Sequence, residues 1–177
     1  MLELEDIENL VDEYGTIVYK FCIKISQNKE EGEDLYQQTF LKALELRKKL
    51  CKDKNSKGFL ISIAVKLRSN NVRKFIRRNT IAPNINANEY ESLIIKDTKS
   101  NIENEVIHKE VKKEVNLAVS KLQDKFKLPI IMYYTGDMSV EEISRALKIP
   151  KGTVKSRMHK ARSLIKSELE EIGYERI

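Results

Sequence analysis

The chain has 177 residues and a net charge of +6, from 33 lysines and arginines against 27 aspartates and glutamates. Hydrophobic residues make up 41% and charged residues 34%, which is too apolar for full disorder and too charged for a membrane protein. Six glycines and three prolines are few for a fold built from many hairpin turns. An all-β fold is therefore disfavoured and a mainly helical fold is predicted.

The sequence also disfavours several classes of protein, namely membrane, secreted, disulfide-rich, metal-binding and catalytic proteins. Apolar runs such as 128–134 are too short to cross a bilayer, and the acidic N-terminus lacks the features of a signal peptide. We therefore expect a cytoplasmic protein without membrane insertion. Cys22 and Cys51 cannot form a disulfide framework and are interpreted as structural thiols, with redox sensing as the alternative. The two histidines lack clustered metal ligands, and no phosphate-binding glycine loop is present, so no metal, cofactor or catalytic residue is expected.

The positive charge is concentrated in two segments. Residues 59–79 and residues 151–166 each carry six basic and no acidic side chains, whereas 80–105 and 167–177 are each net −3. Each basic segment has about the length of one helix. Two such segments favour nucleic-acid binding over the alternative of two solvated helix faces.

The asparagine-rich residues 80–105 show little periodicity and are predicted to form a flexible linker. This linker divides the chain into an N-terminal domain at 1–79 and a C-terminal domain at 106–177.

Three helices are predicted in the N-terminal domain. Apolar residues recur at three- and four-residue spacing from Ile7 to Ile25. After a break at 26–28, Leu35, Phe40, Leu41 and Leu44 continue a second helix that is predicted to begin near residue 29 or 30. A polar loop at 52–58 leads into a third helix that begins near Ser56 and ends near 78. Its predicted apolar stripe consists of Leu60, Ile63, Ala64 and Leu67, with Phe75 and Ile76 later.

A helix-turn-helix pattern is predicted in the C-terminal domain, after helices at about 103–122 and 127–135. Ser139 with Glu142 three positions later fits a capping box that begins a short helix. Pro150 ends this helix, and Thr153 is predicted to cap the long helix that follows. A short helix, a tight turn and a long helix form a helix-turn-helix.

The last helix is predicted to read DNA with one face. Helical geometry places Val154, Met158, Ala161 and Ile165 on one side, which we expect to be buried. The opposite side is basic, and a recognition helix contacts bases mainly through its N-terminal half. We expect base contacts from Lys155, Ser156, His159 and Lys160, and phosphate contacts from Thr153 and Arg162. For His159, an ordinary surface position is an equal alternative. The candidate duplex-binding residues are Thr153, Lys155, Ser156, Arg157, His159, Lys160 and Arg162.

These motifs resemble a known family. Residues 138–162, MSVEEISRALKIPKGTVKSRMHKAR, resemble region 4 of bacterial sigma factors in the version of the extracytoplasmic-function (ECF) group. Residues 33–40, EDLYQQTF, resemble the region 2 segment that contacts the polymerase clamp. Residues 58–74, GFLISIAVKLRSNNVRK, resemble the region 2 helix that handles the −10 promoter element. The chain departs from the residues usual in the family at Gln38, Lys66, Asn70 and Ser144. These departures do not change the resemblance to the ECF group, but they concern residues that would determine which promoter sequence is recognised.

The resemblance implies an all-α promoter-specificity subunit, not an enzyme. The implied partners are core RNA polymerase, promoter DNA and an anti-sigma protein, often membrane-bound, that inserts between the domains. The implied polymerase contacts are Asp34, Gln37 and Gln38. The implied −10 contacts are Asn55, Ser56, Lys66, Arg68, Asn70, Arg73, Lys74 and Arg77.

Two other classes stay open at this point. A helix-turn-helix repressor or activator that acts without polymerase would explain 139–166, but not the second basic segment. A helical protein-interaction module would use the basic faces to bind acidic partners.

Overall fold

The computed structural model describes the backbone of residues 4–26, 28–46, 55–81 and 104–174, and these residues form seven α-helices and no strand. The predicted all-α fold is confirmed. Residues 82–103 of the predicted linker lie outside the described residues, and its two ends belong to the flanking helices. The helices are α1 (Leu4–Ile25), α2 (Lys29–Glu45), α3 (Ser56–Ile81), α4 (Asn104–Lys121), α5 (Asp124–Tyr134), α6 (Val140–Leu147) and α7 (Lys151–Glu171).

Helices α1 and α2 meet at the break predicted at 26–28. The Asn28 side chain accepts a hydrogen bond from the Glu31 N–H at 2.8 Å, which satisfies one N–H group at the start of α2. The two helices approach closely at Gly32, where a Cβ atom would lie 2.6 Å from Ile23 Cδ1. This packing buries one face of α2 and leaves the opposite face exposed.

Helix α3 is buried in its first half and exposed in its second. Leu60 and Ile61 are fully buried, whereas Phe75 is 47% exposed. The prediction that Phe75 continues the apolar stripe is therefore wrong, because the second half of α3 extends past the helices that cover its first half. Ile76 lies outside the residues whose side chains are described.

The helix-turn-helix begins as predicted. Ser139 N–H donates to Glu142 Oε2 at 2.7 Å, and Glu142 N–H donates to Ser139 Oγ at 3.3 Å, so the capping box that begins α6 is confirmed. Lys148 ends α6 in the left-handed conformation, with φ of 55°.

The start of α7 differs from the prediction. The helix begins at Lys151 with Pro150 as its N-cap, and the Pro150 carbonyl accepts the Val154 N–H at 3.0 Å. The prediction that Thr153 caps this helix is wrong, because the Pro150 carbonyl has already started the helical hydrogen-bond ladder.

The two halves of the chain pack against each other. Helix α1 contacts α5, α3 contacts α6, and the buried residues of both halves form one hydrophobic cluster. Ile61 of α3 lies beside Gly136 in the turn between α5 and α6, where a Cβ atom would come within 2.8 Å of Ile61 Cδ1. The start of α3 therefore faces the helix-turn-helix.

Candidate nucleic-acid interface

The outward face of α7 carries the predicted donors. The side chains of Val154, Met158 and Ala161 are buried, as predicted, while Ile165 is half-buried. On the opposite face the exposed residues are Lys155, Ser156, His159, Lys160 and Arg162. These donors extend along about 11 Å of helix, from Lys155 to Arg162 at a rise of ~1.5 Å per residue.

Two candidates on α7 are less open. Thr153 and Arg157 are half-buried, and Arg157 faces a groove of about 270 Å³ that also borders α3 and α5. At the start of α7 no side chain caps the first N–H groups. Such groups lack acceptors within the helix and are suited to binding a phosphate.

An ion pair joins the two helices of the helix-turn-helix. Lys151 Nζ lies 2.7 Å from Glu141 Oε1 of α6. The hydrogen bond from Lys151, assisted by the Glu141 backbone, holds the pKa of Glu141 below its ordinary value. Lys151 was not among the predicted site residues, although its place beside the turn was visible in the sequence.

Helix α3 presents a second basic surface. Five of the predicted −10 residues, between positions 66 and 77, are exposed, whereas Asn55 and Arg68 contact the C-terminal half of the chain. The exposed group contains Lys66, Asn70, Arg73, Lys74 and Arg77. Ser56, the first residue of α3, is half-buried. Residues 52–54 of the preceding loop lie outside the described residues.

Arg68 is bound by the other half of the chain. Its NH1 and NH2 donate to the two carboxylate oxygens of Asp124, at 2.8 and 3.0 Å, and its Nε donates to the Ile25 carbonyl. The Arg68 side chain is only 14% exposed.

Two residues at the start of α3 make similar contacts. Asn55 Nδ2 donates to Glu142 Oε1, and Lys57 Nζ lies 2.7 Å from Asp137 Oδ2. We call these six residues the interdomain polar cluster: Asn55, Lys57 and Arg68 from the N-terminal half, and Asp124, Asp137 and Glu142 from the C-terminal half. Lys57 is not among the predicted site residues, although it belongs to the same polar loop.

The third predicted surface lies on α2. Asp34, Gln37 and Gln38 are exposed on one face, opposite the buried Leu35 and Phe40. Leu41 continues the exposed face seven residues after Asp34 and is 63% exposed. Leu41 shares the apolar pattern of Leu35 and Phe40 but not their burial, because it lies on the exposed face of α2. The spacing of seven from Asp34 was the signal available in the sequence.

Within the described part of the chain, no three or more histidine, cysteine, aspartate or glutamate side chains are grouped to hold a metal ion. Among the same residues, no helix combines the length and apolar character needed to cross a membrane.

Comparison with known proteins gives two domain matches. Residues 10–80 match Sigma-70 region 2, and residues 112–165 match Sigma-70 region 4. Together these matches cover more than two thirds of the chain. The chain is also 26% identical over 168 residues to the ECF RNA polymerase sigma factor SigW of Bacillus subtilis (strain 168), covering 93% of this chain and 89% of SigW.

This chain belongs to the ECF group of RNA polymerase sigma factors. The resemblance found in its motifs is thereby confirmed. In this sigma factor the region 2 match contains α2, most of α1 and nearly all of α3, and the region 4 match contains α6 and most of α7.

Two solved structures share the fold. The sigma factor RpoE from Bartonella quintana, solved in complex with the anti-sigma factor NepR, superposes with a TM-score of 0.73 at 21% identity, covering 94% of this chain and 98% of that chain. CnrH, solved in complex with the cytosolic domain of CnrY, superposes with a TM-score of 0.63 at 16% identity, covering 96% of this chain and 90% of that chain.

Proposed function

We propose that this sigma factor binds core RNA polymerase, recognises the −10 and −35 promoter elements and promotes DNA opening at transcription start sites. It acts in the cytoplasm as an initiation factor rather than an enzyme. The domains that do so are 1–79 and 106–177, joined by the linker 80–105. The observation that carries the proposal is the presence, in one chain, of two exposed basic helix surfaces, on α3 and α7.

The exposed face of α2 is the proposed polymerase contact. Asp34 supplies a charge, Gln37 and Gln38 supply amide hydrogen bonds, and Leu41 adds an apolar side chain that the chain itself leaves exposed. An apolar residue among polar ones is the composition expected at a protein interface.

Helix α3 is the proposed −10 surface. Lys66, Arg73, Lys74 and Arg77 neutralise phosphates and guide the separating strands, with Asn70 as a hydrogen-bonding neighbour. Opening DNA requires capture of a base that has left the stack, at a cost of a few kcal/mol. The amide of Asn55 and the hydroxyl of Ser56, near the start of α3, are the groups proposed to bind that base, and Arg68 is the proposed phosphate contact beside it.

Helix α7 is the proposed −35 reader. Lys155, Ser156, His159 and Lys160 are exposed in its N-terminal half, where a recognition helix meets base edges. Thr153, Arg157 and Arg162 are proposed to contact the flanking phosphates, and the uncapped N–H groups at the helix start support this orientation.

An anti-sigma protein is the proposed regulator, and a membrane-bound one fits the family. Support comes from the shared fold with RpoE, which was solved in complex with the anti-sigma factor NepR.

Run-off transcription with purified core polymerase tests the proposal. We expect transcripts from specific promoters only when this protein is added. Transcripts that do not depend on it would reject the sigma function. Promoter binding without polymerase-dependent transcription would favour an ordinary helix-turn-helix regulator, and absence of both would favour a protein-interaction module.

Replacing Lys155 and Lys160 by alanine should reduce discrimination between the native and a scrambled −35 element. Each good side-chain–base pair contributes about 1–3 kcal/mol of discrimination, so a loss of roughly ten-fold or more is expected. The readout is promoter-specific run-off. Equal use of both promoters by the wild-type protein would contradict the proposed base-reading face.

Two control variants make this test specific. Lys20→Ala with Lys113→Ala removes the same charge from exposed positions on α1 and α4, and should leave −35 discrimination unchanged. Asp34→Arg should have the opposite pattern of effects. It should weaken binding to core polymerase in a competition assay, while the transcription that remains keeps its preference for the native −35 element.

A further inference from the structure

The interdomain polar cluster has a regulatory consequence that rests on the proposed function. We propose that Asp124, Asp137 and Glu142 act as an intramolecular competitor of promoter DNA, because they bind the −10 donors while the two halves of the chain are packed together.

Arg68 provides the strongest observation. A carboxylate that accepts two parallel hydrogen bonds from a guanidinium has the geometry that a phosphate would use. All three nitrogen atoms of the Arg68 guanidinium donate within the chain, two to Asp124 and one to the Ile25 carbonyl. With a side chain only 14% exposed, Arg68 is closed to a DNA phosphate until Asp124 moves away.

Asn55 is occupied in the same way. Its amide nitrogen donates to Glu142, and its amide oxygen accepts the Gly58 N–H at 2.9 Å. Both polar atoms of the Asn55 amide are therefore in use. Loss of the Glu142 contact would free the donor while the Gly58 contact still holds the side chain in place.

Lys57 completes the cluster. Its ammonium group donates to the Asp137 carboxylate at 2.7 Å and to the Asp137 carbonyl at 3.1 Å. This contact holds the pKa of Asp137 below its ordinary value, so the carboxylate is charged at neutral pH. For Glu142, desolvation raises the pKa, but hydrogen bonds from Ser139 and Asn55 outweigh it and keep the pKa below its ordinary value.

The positions of the three acidic residues in the fold support competition with DNA rather than accidental contact. Asp124 begins α5, Asp137 lies in the turn before α6, and Glu142 lies in the first turn of α6. All three contact residues between positions 55 and 68, whereas Arg73, Lys74 and Arg77 in the second half of α3 are exposed. In the closed chain the exposed phosphate-binding residues stay available, but the Asn55 and Arg68 donors are bound to Glu142 and Asp124. Separation of the halves restores the full set, so any ligand that prefers the open chain shifts the equilibrium towards DNA binding.

The test compares single-stranded DNA binding by the free, full-length protein. Asp124→Asn, Asp137→Asn and Glu142→Gln are combined, since these changes remove three charges and largely keep shape. The amide oxygen introduced by Glu142→Gln also retains the capping-box acceptor. The ligand is a fluorescent oligonucleotide with the −10 strand sequence, titrated at one fixed salt concentration. We expect affinity to rise about ten-fold, equivalent to ~1.4 kcal/mol.

A matched triple variant controls for net charge. Glu141, Glu168 and Glu170 pair with lysines of their own half of the chain, namely Lys151, Lys121 and Lys166. Changing these three to glutamine alters the net charge equally without touching the interdomain polar cluster. An equal rise in affinity for both triples, or no rise for the first, would overturn the proposal.

Two further measurements keep the result interpretable. Far-UV circular dichroism checks that each variant is folded. The single variant Asp124→Asn, which removes the charge and one of the two side-chain oxygens that bind Arg68, should raise affinity in the same direction. Run-off with core polymerase separates this inference from the proposed function. Wild-type transcription together with unchanged oligonucleotide affinity rejects only the competitor, whereas absence of promoter-specific transcription rejects the sigma function.

Discussion

At the residue scale, Cys22 shows how its surroundings determine its chemistry. Its side chain is fully buried in the core between α1 and α2. Burial raises the pKa of the Cys22 thiol to about 12, although a hydrogen bond with Thr39 acts in the opposite direction. The thiolate is the reactive form of cysteine, so the structure favours the structural interpretation of Cys22 over redox sensing. Cys51 lies outside the described residues.

We predict that Cys22 resists alkylation in the folded protein. In a Cys51→Ser chain, iodoacetamide should label Cys22 slowly even at pH values above 9.0, and rapidly once urea unfolds the protein. The unfolded thiol ionises near its ordinary pKa of 9.0, and the folded one only near 12. The free energy of unfolding should therefore fall as the pH rises above 9, because the unfolded state releases the proton first. Fast labelling of the native protein at neutral pH would contradict the burial of Cys22.

At the scale of the element, the break before α2 and the side-chain cap of α6 were predictable. Both signals are local, so the break at 26–28 and Ser139 before α6 could be identified from a few neighbouring residues. The start of α7 was misplaced because two competing signals, Pro150 and Thr153, lie three residues apart. Exposure was less predictable. Leu41 and Phe75 have helical apolar spacing, yet no neighbouring helix covers them fully.

Removal of the α6 cap should destabilise the helix-turn-helix. Ser139→Ala leaves the Glu142 N–H without its side-chain acceptor, and the expected loss is about 0.5–2 kcal/mol of unfolding free energy. Urea unfolding followed by circular dichroism measures it. Ser163→Ala, at an exposed position on α7, is the control and should change stability by less than ~0.5 kcal/mol. Equal midpoints for the two variants would show that the cap does not stabilise α6.

At the scale of the whole molecule, the closed packing of the two halves depends on close fit at one turn. Gly136 precedes α6 and lies against Ile61 of α3, and its N–H donates to the Ile131 carbonyl at 3.0 Å. An added Cβ would lie 2.6 Å from the Met132 carbonyl oxygen and 2.8 Å from Ile61 Cδ1. Because the Met132 oxygen is a backbone atom, the turn itself must shift, and the end of the Ile61 side chain must move as well.

Gly136→Ala should therefore loosen the packing between the halves. We expect a loss of roughly 1–3 kcal/mol in unfolding free energy from overpacking and an increase in the radius of gyration measured by X-ray scattering. Gly152→Ala is the matched control, since an added Cβ there would have no atom within 4 Å and α7 accepts alanine. If Gly136→Ala matched this control in both measurements, the close fit would not hold the halves together.

The sequence by itself determined the helical class, most helix positions, the two acid-free basic segments and the sigma-factor family. These properties depend on periodicity, caps and charge, which are set by residues close together in the chain. Only the tertiary structure decided which of the basic residues are open to DNA. Arg68 and Asp124 are 56 positions apart, and no local pattern predicts that they pair. Their ion pair forms because α5, which begins at Asp124, packs against α1, whose last residue, Ile25, also accepts a hydrogen bond from Arg68.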